Sequence, residues 1–199
     1  MFYSLIKFIG SVIIKLCFRF KVIGIENIPL TGPVVIASNH ASLLDPPIIG
    51  VATNRPVHFM AKQELFKNPI ISFIFKQLGS FPVKRGTADR VAIKNGINIL
   101  KKNEILAIFP EGTRNRTNKV RKPAPGALMM ASAAKAVIVP VAIIGTRNIT
   151  LFKTCKVVFG EPIYLDKTKK YKKDDLNEIS NELMQKIQIM LDFHRSENK

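Results

Sequence analysis

Strands and helices alternate along this chain, and that alternation restricts its fold more than any other feature. Residues 34–38, 57–61, 80–83, 104–109, 137–143 and 156–159 are short apolar runs that read as buried strands. Between them, residues 46–52, 69–78, 88–101 and 126–136 carry helical patterns. This order predicts an α/β fold with a mostly parallel sheet flanked by helices. A last helix is expected where Asp174 and Asp175 can cap it, because Leu176, Ile179, Leu183, Ile187 and Met190 recur at helical spacing and should pack on the sheet. The 199 residues hold no internal repeat, low-complexity tract or flexible linker, so a single α/β domain is expected.

The N-terminus departs from this pattern. The first 25 residues contain no acid and carry Lys7, Lys15, Arg19 and Lys21 among large apolar side chains. On a helix, Ser4, Lys7, Ser11, Lys15 and Arg19 form one polar stripe, and the rest of the surface is apolar. Lys15 makes the segment a poor transmembrane span, and without a small-residue cleavage site it is a poor signal peptide. Two readings stand: a helix lying in the membrane interface with its cationic stripe toward lipid phosphates, or a helix docked on the protein's own core. The width of the apolar face favours the first. Residues 1–21 are therefore assigned as an amphipathic membrane-interface helix, ahead of an α/β domain over 22–199.

Lys and Arg number 31 against 14 Asp and Glu, a formal charge of +17, so any large partner is expected to be polyanionic. Nucleic acid is disfavoured, since no zinc-finger spacing, helix-turn-helix or aromatic RNA-binding signature is found and the excess charge sits beside an oily helix. An anionic membrane surface or an acidic carrier protein remains. Arg114, Arg116, Lys119, Arg121 and Lys122 make a basic loop after an apolar run, whereas Lys167, Lys169, Lys170, Lys172 and Lys173 read as a solvated turn. Cys17 and Cys155 have neither metal-ligand nor disulfide-framework spacing, which fits a reducing compartment and makes the cytoplasmic face the expected location.

Three histidines narrow the choice of a general base. His58 lies inside an apolar strand and His194 in the terminal tail. His40 instead follows the strand Val34–Ser38, at the carboxyl end where α/β sheets bind ligands. Asp45 comes five residues later, just before Pro46 opens a helix. The turn can bring its carboxylate back to one imidazole nitrogen, leaving the other free to take a proton from a hydroxyl. Asp45 can equally cap the helix, with His40 bonded to a loop. No Gly-x-Ser-x-Gly elbow or cysteine signature supplies a nucleophile, and no His or carboxylate cluster has metal-ligand spacing. A base without a nucleophile suggests direct transfer to a substrate hydroxyl, with no metal and no cofactor. Two further strand ends carry charge: Lys84 and Arg85 after the short strand near residue 80, and Glu111, Gly112, Thr113 and Arg114 after the run ending at Phe109. The arginine fork suits a phosphate.

Four motifs in this order resemble the glycerolipid acyltransferase family, and most of all its lysophosphatidate acyltransferases. They are Asn39-His40 through Asp45, Gly79-Ser80-Phe81-Pro82-Val83-Lys84-Arg85, Phe109-Pro110-Glu111-Gly112-Thr113-Arg114, and Val139-Pro140-Val141. The similarity runs from about residue 22 to about residue 162. The resemblance implies a glycerol-3-phosphate acyltransferase-like fold, His40 as base, Asp45 as its orienting partner, and Lys84, Arg85 and Arg114 at the acceptor phosphate, with Glu111, Gly112 and Thr113 shaping that site. It implies acyl transfer from an acyl-CoA or acyl carrier protein thioester to the sn-2 hydroxyl of 1-acyl-glycerol 3-phosphate. Another lysophospholipid or glycerol 3-phosphate is the alternative acceptor. A peripheral, monotopic seat on the membrane follows from the lipid substrate, and the apolar stretch 65–78 would help bring the crevice to the bilayer. Two positions depart from the family pattern: Lys84 stands where an acid is frequent, and Asn115 where a serine commonly follows the third motif.

Overall fold

In the computed structural model, which describes residues 2–84, 89–115, 117–124, 126–147, 150–166 and 168–196, seven strands form one sheet among the described residues. They are β1 (Arg19–Ile23), β2 (Val34–Ser38), β3 (Val57–Lys62), β4 (Phe81–Val83), β5 (Ile105–Ile108), β6 (Val137–Ile144) and β7 (Thr154–Phe159). Their spatial order is β1-β7-β6-β2-β5-β3-β4. Neighbours run parallel except β6 and β7, which pair antiparallel from Val141 opposite Phe159 to Ile144 opposite Lys156. The mostly parallel sheet expected from the alternation is present, and the six expected strands lie within a few residues of their expected bounds.

The seventh strand, β1, takes in Arg19 to Lys21, assigned above to the N-terminal helix, together with Val22 and Ile23. The helix α1 (Phe2–Cys17) stops earlier, and Arg19 through Ile23 pair with Thr154 through Val158 at the sheet edge. The boundary placed between residues 21 and 22 thus falls inside a strand. An edge strand needs little apolar character, and β1 alternates charged with apolar residues on a largely exposed ribbon.

The remaining helices are α2 (Asp45–Ala52), α3 (Pro69–Gln77), α4 (Arg90–Lys101), α5 (Gly126–Ala134) and α6 (Lys173–Ser196). Strand pleating divides their packing. Val35, Leu106, Ile138 and Ala142 face a core shared with Leu100 of α4, Leu128 of α5 and Leu183 and Ile187 of α6. Val34, Ile36, Ile105 and Val139 point the other way, into a core with Ile14 of α1 and Ile48 and Ile49 of α2. Asp89 caps α4 by accepting from the Val91 and Ala92 amides, and Asn68 caps α3 in the same manner. Asp174 and Asp175 lie inside the first turn of α6, where they favour the helix through its dipole.

Helix α1 divides its surface in a way the polar stripe did not foretell. Tyr3, Ile6, Lys7, Gly10 and Ile14 turn toward the body, and the Lys7 ammonium donates to the Thr53 carbonyl. Leu5, Phe8, Ile9, Val12, Ile13 and Leu16 are exposed. Lys7 therefore faces the protein, where burial pulls its pKa down, and does not face outward with Lys15. The outward surface is mostly apolar, with Ser4 and Lys15 also exposed, and the Phe2 ring meets Phe73 of α3 edge-on at 6.1 Å, joining it to exposed Ile70 and Phe73. No helix among the described residues is long and apolar enough to cross a membrane.

Candidate active site

His40 leaves the carboxyl end of β2, and Asp45 begins α2 after a tight turn. Pro46 and Pro47 follow in the first helical turn, where a missing N–H costs nothing, so α2 starts where the turn closes. The Asp45 carboxylate faces back into that turn: Oδ2 lies 2.8 Å from His40 Nδ1 and accepts from the Ala41 and Ser42 amides at 2.7 and 2.8 Å. No side chain caps α2, whose N-cap is Leu44, so the carboxylate serves the imidazole and the turn. A carboxylate only accepts, so in the neutral imidazole the proton sits on Nδ1 and Nε2 carries the lone pair. The Phe109 ring stacks on His40 at 4.0 Å and 19°, fixing the plane of the imidazole.

Two asparagines hold the frame of this site. Asn39 Nδ2 donates to the Ile143 carbonyl at 3.0 Å, and its Oδ1 accepts from the Ile143 amide at 2.8 Å. The carboxamide replaces a peptide unit and prolongs the β2–β6 pairing beyond Ser38, so the chain can turn at His40 without leaving buried polar groups bare. Asn115, 5% exposed, donates its backbone N–H to the His40 carbonyl at 2.6 Å. Its side chain bonds Glu111, Thr117 and the Lys119 carbonyl. Sequence reading marked Asn115 only as a departure and gave Asn39 no role. The available signal was a polar residue directly after the buried strand β2 for Asn39, and none for Asn115, which lies in the loop after β5.

The loop after β5 carries the other expected residues. Glu111 Oε2 accepts from Asn115 Nδ2 at 2.5 Å and from the Arg121 amide at 3.1 Å, which commits it to holding the basic loop. Gly112 takes a left-handed φ of 71°, and Thr113 and Arg114 are exposed. Lys84 is exposed at the end of β4, its backbone N–H donating to Asp89 at 2.9 Å. Since β3 lies between β5 and β4, the structure brings His40 and Arg114 to neighbouring strand ends and sets Lys84 farther along the same edge. Arg85 and Arg116 lie outside the described residues.

An apolar cavity of about 360 Å³ opens beside His40 between α1, α2, β3 and α3. Tyr3, Ile6, Pro47, Phe59, Phe75 and Leu78 line it, and His40 and Phe109 close one side. The residues of 65–78 thus divide, with Leu65, Phe75 and Leu78 at the cavity and Ile70 and Phe73 outward. The cavity suits a hydrocarbon chain ending at the imidazole. Cys155 is no rival nucleophile: burial, followed by the Asp45 charge, pushes its thiol up to about 12.

A family model described as Acyltransferase matches residues 19–144. The 1-acyl-sn-glycerol-3-phosphate acyltransferase of Bacillus subtilis is 37% identical over 158 residues, spanning 77% of this chain and 78% of that protein. The protein of the same name from Streptococcus pneumoniae is 31% identical over 159 residues, spanning 77% of this chain and 59% of its own length. The crystal structure of the 1-acyl-sn-glycerophosphate acyltransferase from Thermotoga maritima superposes with a TM-score of 0.78 at 26% identity, covering 96% of this chain and 79% of that one.

Proposed function

This chain belongs to the Acyltransferase family, and from that premise we propose that it transfers a fatty acyl group from an acyl thioester to the sn-2 hydroxyl of 1-acyl-glycerol 3-phosphate, giving phosphatidate. The observation that carries the reading is the junction at His40, where an imidazole oriented at 2.8 Å by Asp45 borders an apolar cavity of about 360 Å³. Asp45 keeps the proton on Nδ1, so Nε2 takes the hydroxyl proton as the oxygen attacks the thioester carbonyl. The C–S bond then breaks, and the imidazolium returns its proton to the leaving thiolate. No acyl-enzyme is formed.

Arg114, with Lys84 and Arg85, attracts the acceptor phosphate, while Gly112 and Thr113 shape the loop that Glu111 ties down. The apolar cavity receives an acyl chain. The exposed faces of α1 and α3 rest on the bilayer at its cytoplasmic face, so the lipid reaches His40 without crossing open water. The thioester is that of acyl-CoA or of acyl carrier protein, both of which suit a chain of charge +17.

Purified protein offered lysophosphatidate, other lysophospholipids and glycerol 3-phosphate, each with both donors, tests this by mass spectrometry of the products. Phosphatidate from lysophosphatidate is expected. Preferential use of another acceptor overturns the acceptor assignment, and no product from any pairing overturns acyl transfer.

A further inference from the structure

His40 borders a second recess, of about 210 Å³, on the flank where β6 ends. It is polar. Lys119, Arg147 and Arg195 contribute cations to its lining, against one carboxylate, Glu111, which already accepts from Asn115 and Arg121. Arg147 and Arg195 come from distant parts of the chain, the end of β6 and the last turn of α6, yet converge on the same loop. Arg147 donates to the Thr117 carbonyl, and Arg195 donates to the Asn118 carbonyl at 2.9 Å. Each guanidinium has five N–H donors and spends few of them on these carbonyls. The Arg195 carboxylate partner, Asp192, is 3.9 Å away at the exposed rim. Burial first, and the Arg147 charge second, pull the Arg195 pKa down, so the two cations sit in repulsion. Next to Arg147 in the same lining, Thr146 is 1% exposed, and its hydroxyl finds no partner among the described residues. Two like charges lining one recess, with an unsatisfied hydroxyl buried in its wall, are unfavourable arrangements, and an anion bound there relieves the repulsion of the cations.

We propose that the recess formed by Thr146, Arg147, Arg195 and Lys119 is a phosphate-binding pocket whose lining shares the loop after β5 but does not include Arg114. Its ligand is a phosphate ester, and its place beside His40 makes that ester part of a substrate. Both substrates of the proposed reaction supply this chemistry: the acceptor as a phosphomonoester, the donor as the phosphate of its pantetheine arm. The assignment to a substrate rests on the acyl-transfer reading, whereas the anion chemistry rests on the recess itself.

Calorimetry on the full-length protein in detergent, with coenzyme A and glycerol 3-phosphate as water-soluble probes, separates the two sources. Arg147→Gln and Arg195→Gln are each expected to weaken one probe by about 10- to 150-fold, the range for a charge-assisted contact. Loss confined to coenzyme A identifies the donor phosphate, and loss confined to glycerol 3-phosphate the acceptor phosphate. Lys101→Gln, an exposed cation at the end of α4, measures the bulk attraction of the net charge and is expected to leave both probes unchanged. Thr146→Val keeps the shape and removes the bare hydroxyl, so it should melt no lower than wild type and show a probe-induced rise in Tm no greater than that of wild type. The proposal is overturned if wild type binds neither probe, if both arginine variants bind like wild type, or if Lys101→Gln weakens binding as much as they do. Product formation by the wild type is scored separately, so failure of the transfer reading and failure of the pocket appear in different measurements.

Discussion

At the scale of single residues, the site depends on one short-range contact and on several long-range ones. The His40–Asp45 contact closes within five residues of chain, and its 2.8 Å geometry gives the imidazole its orientation. His40→Ala is therefore expected to abolish transfer, and Asp45→Asn to lower kcat by roughly 10⁴-fold, as in related histidine–aspartate pairs. Steady-state rates on the purified variants check this, with circular dichroism to establish folding. A folded His40→Ala protein that keeps more than a tenth of the wild-type rate would overturn the base assignment. Arg114→Ala should raise the acceptor KM by roughly 10- to 150-fold with little change for the donor, because it removes one charge-assisted contact. An unchanged acceptor KM would remove Arg114 from that site. The local pair was legible in the sequence because strand, turn and helix all lie within one short segment. Asn39 and Asn115 were not, because their partners are set by tertiary pairing: Ile143 lies on β6, and the carbonyl that Asn115 reaches belongs to His40. The cations of the second recess were hidden for the same reason, Arg147 and Arg195 being 48 positions apart by number yet lining one wall.

At the scale of elements, burial patterns explain what the alternation revealed and what it missed. The strand Val34–Ser38 is buried along its whole length, and so is Ile105–Ile108, so continuous apolar runs marked both. Edge strand β1 has no such run, and its exposed, charge-bearing residues merged with the helix before it. Helix pairing also depends on a feature that periodicity does not report. Gly96 of α4 sits so close to α5 that an added Cβ would lie 2.5 Å from Met130 Sδ and 3.1 Å from Leu106 Cδ2. Gly96→Val is expected to destabilise the fold by about 1–3 kcal/mol through overpacking, although it lies at a helical position where valine is otherwise tolerated. Thermal and urea unfolding measure it, and an unchanged midpoint would mean that the α4–α5 contact gives way freely. His40 and Asp45 should keep their geometry in the folded fraction, since α4 packs on the side of the sheet opposite α1 and α2.

At the scale of the whole molecule, the two faces of α1 are expected to have different tasks. Its inward face helps wall the apolar cavity through Tyr3, Ile6 and Gly10, and Lys7 is anchored to Thr53. Its outward face offers Leu5, Phe8, Ile9, Val12, Ile13 and Leu16, continued by Ile70 and Phe73 on α3. A surface of this kind is expected to partition into the acyl region of a bilayer, with Lys15 left to pair with anionic head groups. Deleting α1 would confuse the two tasks, because it would also open the cavity beside His40. Phe8→Glu with Ile13→Glu changes the outward face alone. The double variant should fold, lose binding to vesicles of anionic lipid, and lose activity on bilayer-embedded acceptor far more than on a short-chain, water-soluble analogue. Wild-type binding should weaken with salt yet persist, since burial of apolar surface is not screened. Co-sedimentation with neutral and anionic vesicles reads both effects. Undiminished binding by the double variant would move the membrane seat to the α3 surface, and an equal loss of activity on both acceptors would mean that these side chains serve the cavity and not the bilayer.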